Sequence, residues 1–339
     1  MSRMQWRVLV VTGDHARSDS AKWNGGYTAD DLSLHEEMVA ALRTLPSYEI
    51  DVLARHDVLL ERLLGDPPDL VLNFCDTGLD NIPAKEPHLP ALLELLDVPF
   101  TGAGPAGLVL CYDKHVVERV ADSIGVPVPR SLYLEPGTMP SETEVFYPAL
   151  IKPARGDGSV GIFPQSVVRA PDEAARHFAW LRRNLPGAAV LWQEYLPGPE
   201  YGLTLIGNPG VGFTALPPLE VDYSDLPEEL PRILPFESKT GPATRYSGVG
   251  LRPAQLAPDV VRELRTRAER LFARLECRDY ARFDFRASAD GEIRLLEVNP
   301  NPAWSAAAKM AIMAGYAGQS YAALLEMILD SAWTRITAR

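Results

Sequence analysis

The 339 residues carry 45 Asp and Glu against 33 Lys and Arg, a formal net charge of -12, with 46% hydrophobic and 23% charged residues. That balance suits a globular protein of two or three domains, and the absence of a concentrated basic stripe argues against nucleic acid as a partner. No stretch approaches the ~20 apolar residues that a membrane span needs, and residues 1–11 show a short apolar run with no cleavage-site pattern, so neither a membrane anchor nor a signal peptide is expected.

Residues 6–12 (WRVLVVT) carry the continuous apolar run of a buried parallel strand. A polar loop follows over 13–31, and 33–45 has helical spacing with Leu34, Met38, Ala41 and Leu42 on one side. Residues 50–53 and 70–74 (LVLNF) are two further strands, with a short helix over 58–64 between them. This alternation predicts a parallel sheet covered by helices, with ligands beyond the carboxyl ends of its strands. The 13–31 loop and the segment after Cys75 therefore border a site. The text after the first strand, TGDHAR, is not the G-x-G-x-x-G of a dinucleotide fold. Cys75, Cys111 and Cys277 lie far apart, with no metal spacing and no disulfide framework. They are expected as buried thiols in a cytoplasmic protein, with Cys75 a weak site candidate because it ends a strand.

Further on, 89–96 is an amphipathic helix and VPFTGAG at 98–104 a strand and turn. Residues 113–124 form a helix stopped by Pro127 and Pro129, and 136–147 a loop. Residues 149–153 (ALIKP) are a strand carrying Lys152 at its end; RGDGSVG follows at 155–161, and another strand is expected near Ile162. A helix over 171–184 precedes strands at 190–196 and 201–206, joined by PGPE. Residues 222–250 look irregular, a length that marks a functional or disordered loop. Helices over 259–275 and 320–333 flank the most informative stretch.

That stretch, 281–309, predicts a β-hairpin, then a loop and a helix. Asp290-Gly291 is a strong two-residue turn signal. Counting outward from it pairs Ala289 with Glu292, Arg286 with Leu295, Asp284 with Glu297 and Arg282 with Asn299. Strand alternation then puts Arg282, Asp284, Glu297 and Asn299 on one face, and Phe283, Phe285, Leu296 and Val298 on a core face. Two carboxylates directly opposite, with Cβ atoms roughly 4.5–5.5 Å apart, repel unless a cation lies between them. Asp, Glu and an Asn carbonyl are hard oxygen ligands suited to Mg²⁺. A solvated polar face with splayed charges is the plain alternative. Lys152 and RGDGSVG suit a polyanion, since glycines let backbone N–H groups approach closely; a flexible hairpin is the alternative there. Lys114, at a helix start, is either a second phosphate cation or a surface residue. Gln193, Glu194 and Tyr195 end a strand and either present backbone groups to an adenine ring or form an ordinary domain crossover.

PFTGAG, YDKH, IKPARGDGSVGI, WQEYLPGPE, the lysine of ESKTG, ARFDF and LLEVNPNP occur in that order. In these stretches the chain resembles the D-alanine–D-alanine ligases of the ATP-grasp superfamily over nearly its full length. The resemblance implies an α/β protein in which a parallel-sheet N-terminal domain precedes an ATP-grasp fold. The expected divisions are 1–103, 104–193 and 194–335, the last two clasping ATP. It implies that Lys114 and Lys152 contact phosphates under the loop bearing Gly156, Gly158, Ser159 and Val160. Gln193, Glu194, Tyr195 and Leu196 would line the adenine and Glu200 the ribose. Asp284, Glu297 and Asn299 would hold two Mg²⁺ ions, with Mn²⁺ an alternative. Lys239 would reach the γ-phosphate, and Arg282 the reacting oxyanion.

The implied reaction joins a carboxylate to an amine through an acylphosphate, with small amino-acid-like molecules as partners and a homodimer allowed. The family's substrate-binding glutamate segment is replaced by GDHARSDSAKWNGGYTADD, where only Asp30 and Asp31 are nearby carboxylates. Its His-Gly motif is replaced by CDTGLDNIPAKEPH, its oxyanion glycine by Ala303, and its serine for the second substrate by Ala308, next to Lys309. Lys309 is therefore expected to read an anionic group on the second substrate. A specialised amide ligase with a non-alanine substrate, and a non-ligase ATP-binding or phosphotransfer protein, remain alternatives.

Overall fold

The computed structural model describes residues 5–19, 22, 25–236 and 244–338, so Lys239 lies outside the described residues. The apolar runs at the N-terminus do what their composition dictates. Strands β1 (Trp6–Thr12), β2 (Tyr48–Leu53) and β3 (Leu70–Phe74) form a parallel sheet in the order β2-β1-β3. The strand expected at 98–104 contracts to a single parallel bridge, Val71 to Phe100. Pro99 has no N–H to give a ladder, and Gly102 at φ 82° turns the chain away.

The first helix, Ala29–Arg43, begins earlier than its apolar spacing suggests. Thr28 and Asp31 form a reciprocal capping box at its start, so Asp30 and Asp31 belong to a helix and not to the loop expected over 13–31.

The second sheet is antiparallel, in the order β4-β7-β5-β6: β4 (Ser131–Leu134), β5 (Ala149–Pro153), β6 (Val167–Val168) and β7 (Val190–Glu194). No strand starts at Ile162. Its N–H bonds to the Ser159 carbonyl at 2.9 Å, Pro164 opens a single 3-10 turn, and pairing resumes only in the two residues of β6.

The third sheet follows the path β11-β10-β8-β12-β13, with β9 also on β8. Its strands are β8 (Glu200–Asn208), β9 (Gly212–Ala215), β10 (Leu219–Asp222), β11 (Gly250–Pro253), β12 (Tyr280–Ala287) and β13 (Ile293–Asn299). β10 pairs with β11, Glu220 opposite Arg252, so the segment expected to be irregular from 222 to 250 is closed at its base by a strand pair. It also buries Tyr223, Leu226, Leu230, Ile233 and Tyr246. Those residues have no regular spacing, so local periodicity carried no trace of their burial.

The hairpin β12/β13 keeps the expected pairs Arg282–Asn299, Phe283–Val298 and Asp284–Glu297. A bulge between Asp284 and Phe285 then shifts the register, so Phe285 faces Leu295 and Arg286 faces Arg294. Arg286–Leu295 is therefore not a pair, and Leu295 takes the core place expected for Leu296. The turn at the tip is wider than two residues, with Ser288 N–H bonded to the Glu292 carbonyl at 2.9 Å, so Ala289 and Glu292 are turn residues and not a ladder pair. Phe283, Phe285, Leu295 and Val298 pack against helices Lys114–Ser123 and Pro258–Arg274 through Val117, Ala121, Leu264, Leu271 and Phe272. The final helix, Tyr321–Thr337, returns to the first sheet, where Trp333 meets Trp6 with ring centroids 4.3 Å apart. Among the described residues no helix is long and apolar enough to cross a membrane.

Candidate active site

The polar face of the hairpin is a charge cluster enclosed by cations. Arg282 donates from Nε and Nη2 to the two oxygens of Asp284, at 2.8 and 2.9 Å, a bidentate pair with both side chains almost buried. Asn299 Nδ2 lies 3.3 Å from Asp284 Oδ2 and 3.5 Å from Glu297 Oε1, so one amide spans both carboxylates. Lys114 Nζ stands 3.7 Å from Glu297 Oε2. Lys309 Nζ stands 4.0 Å from Asp284 Oδ2 and 3.7 Å from Glu200 Oε1. Three cations thus answer the repulsion that opposed carboxylates create.

The second sheet supplies the other wall. Lys152 is 4% exposed, and its ammonium donates to Gln193 Oε1 at 2.9 Å. Gln193 Nε2 in turn donates to Glu118 Oε1 at 2.5 Å. Burial, then the nearby Lys114, lower the Lys152 pKa to about 8. The chain expected to hold phosphates begins beside it. Lys114 bonds through Nζ to the Gly156 carbonyl, and the Gly156 N–H to the Tyr112 carbonyl at 3.1 Å, which ties the loop stem to the helix start. Gly156 and Gly158 take φ of 105° and 61°, and Ser159 shares the left-handed region at 63°. Val160 is 43% exposed at the crest. The loop is latched to the 223–249 segment: Ser159 Oγ donates to the Leu234 carbonyl at 2.9 Å, and Phe236 N–H to Ile162 O at 3.0 Å.

At the other end of the groove, Tyr195 Oη accepts from the Arg232 N–H at 3.1 Å, and Leu196 is buried. Glu194 turns its carboxylate to Arg294 at 2.6 Å and the Arg130 N–H at 3.2 Å, and its own N–H donates to the Arg130 carbonyl at 2.8 Å. Glu200 Oε2 accepts from the Tyr223 hydroxyl at 2.9 Å and from Arg286 at 3.3 Å. Asp30 is exposed, Asp31 spends its carboxylate on Thr28 and on Lys22 at 2.8 Å, and Ala303 is exposed beside Trp304. Trp304 stacks on Phe74 at 5.6 Å and so joins the hairpin loop to the end of β3. Cys75 is buried with its thiol pKa pushed well up, chiefly by burial.

Three groups escaped the sequence reading. Glu118, four residues after Lys114 on the inner side of the same helix, anchors Gln193; a charge on an apolar helix face was its only signal. Arg286 lay in the hairpin alternation but had no evident partner. The buried Glu86 and the half-buried Asp76 form an acidic corner with Asp157. Burial, then Lys22 in opposition and Asp157 in support, bring Asp76 to about 6; burial and Asp157 hold Glu86 well above the carboxylate range, against hydrogen bonds from Tyr112 and Asn301. Nothing local joins residues so distant in sequence.

The family model described as D-ala D-ala ligase C-terminus matches residues 122–330. The chain belongs to the D-alanine–D-alanine ligase family. It is therefore an ATP-dependent ligase that forms a carbon–nitrogen bond, of ATP-grasp fold. Among relatives of this ligase, an uncharacterised protein, y4sG, of Sinorhizobium fredii is 31% identical over 73% of this chain and 70% of its own length. A D-alanine–D-alanine ligase of Marinomonas sp. is 28% identical over 74% of this chain and 75% of its own. In structure the ligase is similar to the D-alanine–D-alanine ligase of Bacillus anthracis complexed with ATP, with a TM-score of 0.73 and 20% identity over 97% of this chain and 98% of that one. It is also similar to the VanG D-Ala:D-Ser ligase of Enterococcus faecalis, with a TM-score of 0.69 and 16% identity over 97% of this chain and 100% of that one.

Proposed function

We propose that the ligase activates the carboxylate of one small amino-acid-like substrate with ATP and joins it to the amine of a second, D-alanyl-D-alanine being the first product to test. The convergence of Lys114 and Lys152 from one side with Arg282, Asp284, Glu297 and Asn299 on the hairpin carries this reading. The three sheets support domains at 1–103, 104–193 and 194–335, with nucleotide between the second and third.

The donor set fits Mg²⁺. Asp284, Glu297 and Asn299 present hard oxygens close enough for one amide to span both carboxylates, and Mg²⁺ takes its remaining ligands from water and phosphate. Two ions, Mg²⁺ or Mn²⁺, would be held there and would neutralise phosphate charge. Lys309 and Lys114 lie against these carboxylates and offset part of their charge.

In the reaction, a carboxylate oxygen of the first substrate bonds to the γ-phosphorus and the bond to ADP breaks. The acceptor nitrogen then bonds to the acyl carbon, loses a proton, and phosphate leaves. Lys152 and Lys114 offset phosphate charge, while the backbone around Gly156, Gly158, Ser159 and Val160 covers it. Gln193, Glu194, Tyr195 and Leu196 hold the base. Arg282 faces the oxyanion, where a lost donor typically costs about a hundred- to a thousandfold in turnover. The backbone near Ala303 borders the same position. The acidic corner of Asp76, Glu86 and Asp157 favours a substrate ammonium, a part that Asp31, capped and paired, is poorly placed to play. Ala308, where the family has a serine for the second substrate, also favours a second reading, an amide ligase of specialised metabolism with a non-alanine substrate.

A phosphate-release assay over pairs of D- and L-amino acids tests both. Release that requires an acceptor amine, and falls by orders of magnitude in Glu297→Gln at saturating Mg²⁺, supports the ligase reading. Release independent of any amine would make the protein a phosphotransfer enzyme instead.

A further inference from the structure

Arg286 is 4% exposed, lies two residues past Asp284 on β12, and stands opposite Glu200 in the β8/β12 register. Its guanidinium carbon is 5.5 Å from the Tyr195 ring centroid and 5.6 Å from that of Tyr223. Nη1 donates to Glu200 Oε2 at 3.3 Å. Nε and Nη2 are buried and have no hydrogen-bond acceptor among the described residues. These two nitrogens form one edge of the guanidinium fork, the same edge with which Arg282 grips Asp284. A buried cationic edge with no acceptor is costly, so a fold that keeps one needs an acceptor from outside the chain.

The neighbour identifies that acceptor. Glu200 has Oε2 taken by Tyr223 and Arg286, while Oε1 faces only Lys309 among the described residues, at 3.7 Å, beyond hydrogen-bond range. One acceptor-only oxygen thus lies beside a donor-only edge. A phosphate or a carboxylate would satisfy the edge but be repelled by Glu200. A hydroxyl satisfies both, because it gives a hydrogen and accepts one. Two adjacent hydroxyls match the two N–H groups.

We propose that Arg286 is a specificity-determining residue for the nucleotide: Glu200 accepts from the vicinal hydroxyls of the ribose while the Nε–Nη2 edge of Arg286 donates to their oxygens. This rests on the ATP reading of the site and on Glu200 lying at the ribose. It makes the ligase selective for ribonucleotides over deoxynucleotides.

The test is equilibrium binding, with Mg²⁺, of ATP, 2′-deoxy-ATP and 2′,3′-dideoxy-ATP to the full chain and to Arg286→Met, with the thermal midpoint of each protein without nucleotide. The wild type should prefer ATP over the dideoxy analogue by about ten- to a hundredfold, the range for hydrogen bonds to charged groups. In Arg286→Met that preference should fall several-fold, while the midpoint stays level or rises because unpaired buried donors have been replaced by an apolar chain. A variant whose preference falls but which melts lower would show that Arg286 merely holds Glu200 in place, and one that loses affinity for all three nucleotides equally would show that the arginine does not read the hydroxyls; either result overturns the proposal. Should the variant fail to fold, the wild type alone decides, since equal affinity for ATP and its dideoxy analogue refutes a ribose contact. Equal affinity together with a changed ATP-to-GTP ratio in the variant would reassign the arginine to the base. Failure of the wild type to bind ATP at all would refute the ATP reading of the site and not this inference alone.

Discussion

Lys152 shows how one side chain links fold to chemistry. Strand alternation and the residue's place at the end of β5 were readable from ALIKP, but its burial and its tie to Gln193 were not. Burial lowers its folded pKa to about 8 from the ordinary lysine value of 10.5. Between those values the unfolded chain binds more protons than the folded one, so this group makes stability rise with pH across that window. Phosphate binding by Lys152, as proposed, has the opposite slope, because it needs the ammonium. Near pH 8 part of this proton is lost from the unliganded protein, and ATP binding should take it up. Calorimetric titration at pH 8 in buffers of different ionisation enthalpy should register a net proton uptake, absent in Lys152→Met. An apparent enthalpy independent of buffer would rule the coupling out.

The glycine-rich loop and the 223–249 segment act as a pair of elements, joined by Ser159 to Leu234 and by Phe236 to Ile162. Gly156 and Gly158 hold left-handed backbone there, and a side chain on Gly161 (φ 78°) would come within 2.7 Å of Pro153 Cγ, so each glycine has its own reason. Glycine content and irregularity were evident in the sequence; the latch was not, since it joins residues far apart through a backbone carbonyl. Limited proteolysis near Gly156 should slow when ATP and Mg²⁺ are added. Ser159→Ala, which removes one hydrogen bond, should speed cutting of the nucleotide-free protein by about fivefold. Identical cutting of the two proteins would mean that the latch does not hold the loop. The hairpin teaches a similar lesson: its turn is one residue wider than the Asp290-Gly291 signal suggested, and the expected pairs hold at the Asp284–Glu297 end because the bulge, which depends on packing against neighbouring elements, offsets that extra residue.

The whole molecule is tied together at Asp279, which is fully buried. Its carboxylate accepts from Arg335 at 2.8 Å through both oxygens, from the Gly102 N–H at 2.9 Å and from Asn208 at 3.0 Å. It therefore joins the last helix, the turn after the first sheet and the start of the hairpin. Asp279→Ala leaves the Arg335 charge without its partner and should cost about 3–5 kcal/mol. A thermal melt read by circular dichroism should show a clear drop in midpoint for this variant, larger than for Arg335→Ala, which leaves Asp279 its other two donors. A midpoint within one degree of the wild type would show that the tie is not structural.

What the sequence determined by itself is whatever a short window encodes. The apolar runs of β1 and β3, the helix over 171–184, the glycines of the 155–161 loop and the existence of a hairpin turning near Asp290-Gly291 all follow from spacing and turn chemistry within a few residues. Lys309 at a helix start was also readable, but its approach to Glu200 and Asp284 was not. Tertiary structure alone decided that, together with the chain from Lys152 through Gln193 to Glu118, the acidic corner at Asp76 and Glu86, and the open edge of Arg286. Each joins residues tens to hundreds of positions apart. Side-chain partners at that separation are set by how sheets and helices pack, and no local pattern in the chain encodes the packing.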